Sequence, residues 1–243
     1  MKNMAKKSLF DLGIDQKGFI CTSNNREREC VREAYNVLNE YADILYPKEA
    51  KNEEIKSEDP SKEGDIEDEL KNEVATLKDE SAGKALKQFQ VVESKVKGCV
   101  FIRTTVESPF ALTEAIVKDL EETHKQKTTH LMRMLPIEAT CKPYPEDILK
   151  TVEPLIEKFL PEAQTFSVLF KVRNNSTSRD EVIPRVAKLV TEKLPKIKAD
   201  LDDPEFSIII EVLCKVCCIG IVKNYFKRAK YNLVQLAQKK EKE

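Results

Sequence analysis

Between Gly18 and Leu135 the spacing of apolar residues switches between a period of two and a period near 3.6, and the order of those switches restricts the fold. Gly18–Ser23 (GFICTS) sets Phe19 and Cys21 against Ile20 and Thr22, as a buried strand does. Val31, Ala34, Tyr35, Leu38, Tyr41, Ala42 and Leu45 recur every three or four residues. Arg26–Tyr46 therefore reads as an amphipathic helix, capped by Asn24 or Asn25 and stopped by Pro47, with Val31, Ala34, Tyr35 and Leu38 in the core. Phe89–Glu93 and Val100–Thr105 read as a hairpin around Lys97-Gly98. Ser108 and Pro109 open a second helix, with Leu112, Ile116 and Leu120 inside. His130–Leu135 is a strand that Pro136 should end. The order strand–helix–strand–strand–helix–strand is the ferredoxin-like arrangement.

The second half continues the α+β theme without repeating the sequence. Pro145 and Glu146 start a helix with Ile148, Val152, Leu155, Ile156 and Phe159 on one stripe, which Pro154 should kink or divide. Thr165–Arg173 (TFSVLFKVR) alternates cleanly: Phe166, Val168, Phe170 and Val172 face one way, Ser167, Leu169, Lys171 and Arg173 the other. After a turn at Asn174–Ser178, Arg179–Leu194 is a helix with Val182, Val186, Leu189 and Val190 inside; Pro184 is tolerable in its first turns. Asp200–Pro204 is a turn. Phe206–Leu213 is apolar on both faces apart from Glu211, as a central strand is, and Val216–Val222 follows as another strand. Asn224–Ala237 is expected to form a helix with a basic outer face.

The formal net charge of −1 hides an asymmetry. Residues 47–82 hold 13 acidic and 6 basic residues and no aromatic one; they read as a solvated, RNA-repelling insert with a short helix near Ile66–Leu77. Without them the chain is basic, and Lys223–Glu243 alone carries seven basic against two acidic residues. A basic surface is the footprint of a polyanion binder.

Several chemistries are disfavoured. The longest apolar run, Val216 to Val222, is far short of the ~20 residues of a membrane span. The first seventeen residues hold no apolar core of a secretory signal. Seven cysteines, an odd number and mostly in apolar runs, fit free thiols in an intracellular setting. The six glycines are isolated, so no Gly-rich loop cradles the phosphates of a nucleotide or coenzyme A, and no cofactor is expected. Neither His124 nor His130 lies in a nucleophile motif. Cys214, Cys217 and Cys218 lack the second ligand pair of a zinc site and read as packed thiols. In an unbroken strand Cys214 and Cys218 would share a face and Cys217 would oppose them.

Phe170-Lys171-Val172-Arg173, a helix, Asp200-Leu201-Asp202-Asp203-Pro204 and Ile208-Ile209-Ile210-Glu211-Val212 together resemble a THUMP domain, an RNA-binding module of tRNA-modifying enzymes. Cys30–Tyr41, Arg133–Ile137, Thr140-Cys141-Lys142, Arg173-Asn174-Asn175 and Lys230-Tyr231-Asn232-Leu233 extend the likeness over nearly the whole chain, to the eukaryotic THUMP-domain-containing protein 1 family. The resemblance implies an α+β chain with a ferredoxin-like domain over 18–138, carrying the 47–82 insert, and a THUMP domain over 139–235. Residues 1–17 would be a flexible leader and 236–243 a charged tail. It also implies a non-catalytic adaptor of nucleus, nucleolus or cytoplasm. Such an adaptor binds serine and leucine tRNAs and presents a D-arm cytidine to a separate RNA cytidine acetyltransferase, which makes N4-acetylcytidine. A general RNA-binding or protein-interaction scaffold, and a Cys-based metal or thiol protein, are the alternatives. The residues expected to contact RNA are Arg133, Lys142, Lys171, Arg173, Asn174, Asn175, Lys223, Lys227, Arg228 and Lys230; of these, Lys223, Lys227 and Lys230 form a stripe if a helix begins by Lys223.

Overall fold

A computed structural model describes residues 11–47 and 87–238. The expected helix near Ile66–Leu77 lies outside them. In chain order the elements are β1 (Lys17–Ser23), α1 (Glu27–Leu45), β2 (Phe89–Val92), β3 (Cys99–Thr104), α2 (Pro109–Thr123), β4 (Leu131–Ile137), β5 (Ala139–Cys141), α3 (Pro145–Phe159), β6 (Thr165–Arg173), α4 (Arg179–Lys193), β7 (Lys198–Ala199), β8 (Phe206–Leu213), β9 (Val216–Lys223), a 3-10 turn at Ala229–Tyr231, and α5 (Leu233–Gln238).

β1 to β4 form an antiparallel sheet in the order β2-β3-β1-β4, with α1 and α2 packed against it, which is the ferredoxin-like topology. Ser108 caps α2 as its sequence implies, its Oγ accepting from the Ala111 amide at 3.2 Å. His124, in the left-handed conformation, closes the helix. α1 starts at Glu27 rather than at an Asn cap, and no side chain caps it. Val31 and Tyr35 are only partly buried, and Val37 takes the core place beside Ala34 and Leu38. Pro136 does not end β4. It pairs with Phe19 inside the strand, which a proline can do because β4 is the sheet edge and needs no donor outward.

The second sheet has the order β5-β9-β8-β6-β7, so β8 is central, and only the β6–β8 and β6–β7 pairs are parallel. α3 and α4 cover one face, on Phe166, Val168, Ile208, Ile210, Cys217 and Ile219. α3 runs on through Pro154 as one helix.

The other face is turned to the first unit, where Ile209, Leu213, Val216, Cys218 and Val222 join the core of Phe19, Leu112 and Met134. Two features close this seam. At Gly220 the backbone of β9 lies so near β4 that a Cβ would come within 2.0 Å of the Pro136 carbonyl oxygen. Beyond β9, residues 224–238 form a strap across the first unit rather than the expected long helix. Asn224, Ala229, Lys230 and Tyr231 all have positive φ, which no right-handed helix accommodates. Fully buried Tyr231 holds that turn: its hydroxyl accepts from the Lys223 amide at 3.0 Å and donates to Glu114 of α2 at 2.8 Å. Asn232 then caps α5, accepting from the Gln235 amide at 3.1 Å.

The described end of the expected leader is tied to this seam. Leu12 is buried and its amide donates to the Glu93 carbonyl, and Thr140 of β5 donates to the Gly13 carbonyl at 2.8 Å.

Two variants test the closure. Gly220→Ala must push β9 off Pro136, and a loss of roughly 1–3 kcal/mol is expected in denaturant unfolding. Glu114→Ala removes the carboxylate shared by Arg228 and Tyr231 and leaves Arg228 only Glu121 and Tyr231 only the Lys223 carbonyl. A loss of roughly 2–4 kcal/mol is expected, toward the low end for a broken ion pair because Glu114 keeps some contact with water. Unfolding midpoints equal to wild type would show that these contacts do not close the seam.

Candidate nucleic-acid interface

β7 pairs only with Thr165 and Phe166, so from Ser167 onward β6 is a free sheet edge. The alternation of β6 then sets Leu169, Lys171 and Arg173 on the face turned to the first unit, with Leu169 against its core. Lys171 is exposed and Arg173 half-buried; across the parallel pair they stand opposite Glu211 and Leu213.

From the first unit, Arg133 of β4 and Cys99 of β3 are both in register with Thr22 and so share one face. That face meets Arg173. Burial pushes the Cys99 thiol up to about 11, Arg173 draws it down by charge and hydrogen bond, and Glu211 pushes it up. Tyr225, in the strap, is also raised: burial dominates, Arg133 opposes it and Glu211 adds to it. Arg133, Lys171 and Arg173 thus converge on one seam from two sheets, around Glu211. Among the described residues none of the three makes an ion pair within 4.0 Å, so no carboxylate there is in ion-pair range of them.

The rim of the seam is built from loops at one end of the second sheet. Asn174 ends β6 in the left-handed conformation and is exposed. Asn175 shapes the loop. Its Nδ2 donates to the Cys214 carbonyl at 2.5 Å, and its Oδ1 accepts from the Thr177 amide at 2.8 Å. Thr177 in turn donates to the Pro143 carbonyl at 2.9 Å, which brings the segment with exposed Lys142 alongside. Tyr144 follows, 62% exposed, an aromatic face at a basic rim that the sequence reading did not single out.

The remaining four residues are elsewhere. β9 separates Val216, beside the rim, from Lys223 at its far end, roughly 24 Å at ~3.4 Å per residue. No helix begins at Lys223, so the i, i+4, i+7 stripe does not exist. Lys223 lies over the Phe206 ring at 5.0 Å, and Lys227 pairs with Asp203 at 2.6 Å. Lys230 is exposed over Phe226. The Arg228 side chain, 13% exposed, is taken up by Glu114 at 2.7 Å and Glu121 at 3.2 Å, so it fastens the strap and is not free for phosphate.

Cys214 is not in a strand but in the β8–β9 turn, at positive φ, so it does not share a pleat with Cys218. Cys217 and Cys218 are buried on opposite faces. Burial also raises Cys21 and Cys30, Cys30 to about 12, which disfavours thiolate. Cys141, paired with Cys217 across the strands, is lowered because that thiol hydrogen-bonds to it. Among the described residues no group of three or more His, Cys, Asp or Glu side chains is placed to hold a metal, and no helix is long and apolar enough to cross a membrane.

Comparison with known proteins matches residues 144–222 to the THUMP domain family model. THUMP domain-containing protein 1 of Bos taurus is 39% identical over 227 residues, 91% of this chain and 63% of that protein. This chain therefore spans just under two thirds of the length of that mammalian relative. THUMP domain-containing protein 1 homolog of Drosophila melanogaster is 35% identical over 245 residues, 93% of this chain and 76% of that protein. The Saccharomyces cerevisiae protein named tRNA acetyltransferase TAN1 is 26% identical over 242 residues, covering 90% and 83% of the two chains. With identity sustained across both sheets and the THUMP model on the second, this chain belongs to the THUMP domain-containing protein 1 family.

Proposed function

We propose that the protein is a non-catalytic tRNA-binding adaptor that presents serine and leucine tRNAs to a separate RNA cytidine acetyltransferase for N4-acetylcytidine formation in the D-arm. The observation that carries the binding half is the convergence of Arg133, Lys171 and Arg173 in one seam, with no ion pair within 4.0 Å to any of them among the described residues. Arg offers a planar fork and Lys a mobile point charge, the two forms of phosphate contact. The THUMP match over the second sheet and the tRNA-directed name of the yeast relative support the same reading.

The acetyl-transfer half is assigned to a partner because the isolated glycines offer no loop that would cradle coenzyme A. Positioning alone is a sufficient role. A tRNA held beside the catalyst turns a bimolecular search into a local one and raises the effective concentration of the target cytidine. In this reading the ferredoxin-like domain spans 18–138 and the THUMP domain 139–235, with Leu12 of the expected leader and Leu236 and Ala237 of the expected tail buried in their shared core. The strap of residues 224–238 fastens the second domain to the first. The protein works inside the cell, where its RNA partners are.

Lys171→Ala with Arg173→Ala is the decisive variant. In filter binding with total tRNA, affinity should fall by roughly tenfold or more at low salt. The slope of log affinity against log salt should flatten by about 1.4–1.8, as expected for two lost phosphate contacts. An unchanged slope removes the pair from the site. Purification from cells should recover tRNA together with a cytidine acetyltransferase; recovery of neither refutes the adaptor reading.

A further inference from the structure

Glu211 is the only polar residue of β8 besides Ser207, and it is 6% exposed. Its Oε2 has no hydrogen-bond partner. A buried carboxylate oxygen in that state carries a desolvation cost that no hydrogen bond from the described residues offsets. A second orphan lies in the same seam, where the Arg133 Nε is buried and also without a partner. One group is an acceptor and the other a donor, yet they do not pair with each other within 4.0 Å. Both are within electrostatic reach of Tyr225, and Glu211 stands in register with Lys171.

A carboxylate at the foot of a basic seam is unsuited to phosphate, since its charge repels the ligand that the cations attract. It is suited to a neutral donor. The edge of an unpaired nucleobase offers both halves of what is missing, an N–H for the carboxylate and a neighbouring ring nitrogen or carbonyl oxygen for the guanidinium.

We propose that Glu211 and Arg133 bind the donor–acceptor edge of an unpaired RNA nucleotide whose phosphates lie on Lys171 and Arg173. This deepens the RNA reading above and rests on it. In a duplex that edge is already taken by the pairing base, so the two residues make the seam select unpaired over paired RNA.

The sign of one substitution separates this role from electrostatics. Glu211→Leu removes a negative charge from a polyanion site, and charge alone predicts tighter binding. The base-edge contact predicts about tenfold weaker binding to tRNA and to a single-stranded oligonucleotide, with blunt-ended duplex RNA bound no more weakly than by wild type. Glu211→Gln, which keeps an oxygen acceptor, should fall between wild type and Glu211→Leu. Arg133→Lys, which keeps the charge and loses Nε, should weaken single-strand binding and leave the salt slope unchanged; it decides the matter alone if Glu211→Leu does not fold. Tighter or unchanged single-strand binding by Glu211→Leu, or equal weakening for duplex, overturns the proposal, as does wild-type single-strand binding by Arg133→Lys. Wild-type protein that ignores RNA at low salt refutes the RNA reading itself. Loss on Lys171→Ala with Arg173→Ala, together with an indifferent Glu211→Leu, refutes only the base-edge contact.

Discussion

The close approach of β9 to Pro136 fixes everything that the second sheet offers to a ligand. Only a residue without a Cβ lets the two backbones meet there, and Gly220 supplies it. Once β9 is seated, the register of β9 with β8 and of β8 with β6 leaves no freedom in where Lys171, Arg173 and Glu211 stand relative to Arg133. The seam is thus set by main-chain contact rather than by the long side chains that line it.

The strap secures that contact at a cost. Three successive residues, Ala229, Lys230 and Tyr231, sit in the left-handed region, at about 1–2 kcal/mol each. The compensation comes from the Tyr231 ring, wholly buried against the first unit, and from its hydroxyl, engaged by Lys223 and Glu114. Arg228 is recruited to the same carboxylate. A cation that looks like a phosphate ligand in sequence is spent on holding two units together.

Much of this architecture was legible because it rests on local periodicity. The switch between periods of two and 3.6 gave the first sheet and its helices, and the alternation of Thr165–Arg173 placed Lys171 and Arg173 on one face. The polar exception in Phe206–Leu213 marked Glu211, although its meaning needed the neighbouring Arg133, which comes from another sheet. β5 and β7, of three and two residues, are too short to show a period. The strap misled for a different reason. Lys223, Lys227 and Lys230 have helix-like spacing, but burial of Tyr231 overrides it with a turn that propensity opposes. The charge pattern could not separate Lys223 from Lys171, because sequence carries the sign of a charge and not its distance from another. Arg228 paired with Glu114, 114 positions earlier, is the same limit seen from the other side.

A seam of this kind suits a protein that works by placement. Both walls contribute cations, so a bound RNA would touch two units whose relative angle is set by backbone packing and by a buried hydroxyl. Any rocking of one unit on the other would have to lift β9 from Pro136 and expose Tyr231, which packing this close resists. The RNA would then inherit a fixed orientation instead of a range of them, and binding energy would not be lost in ordering the protein. Adaptation to different RNA sequences would fall to the rim, where Lys142, Tyr144 and Asn174 are exposed on loops, while the floor formed by Glu211 and Arg133 stays the same for every ligand.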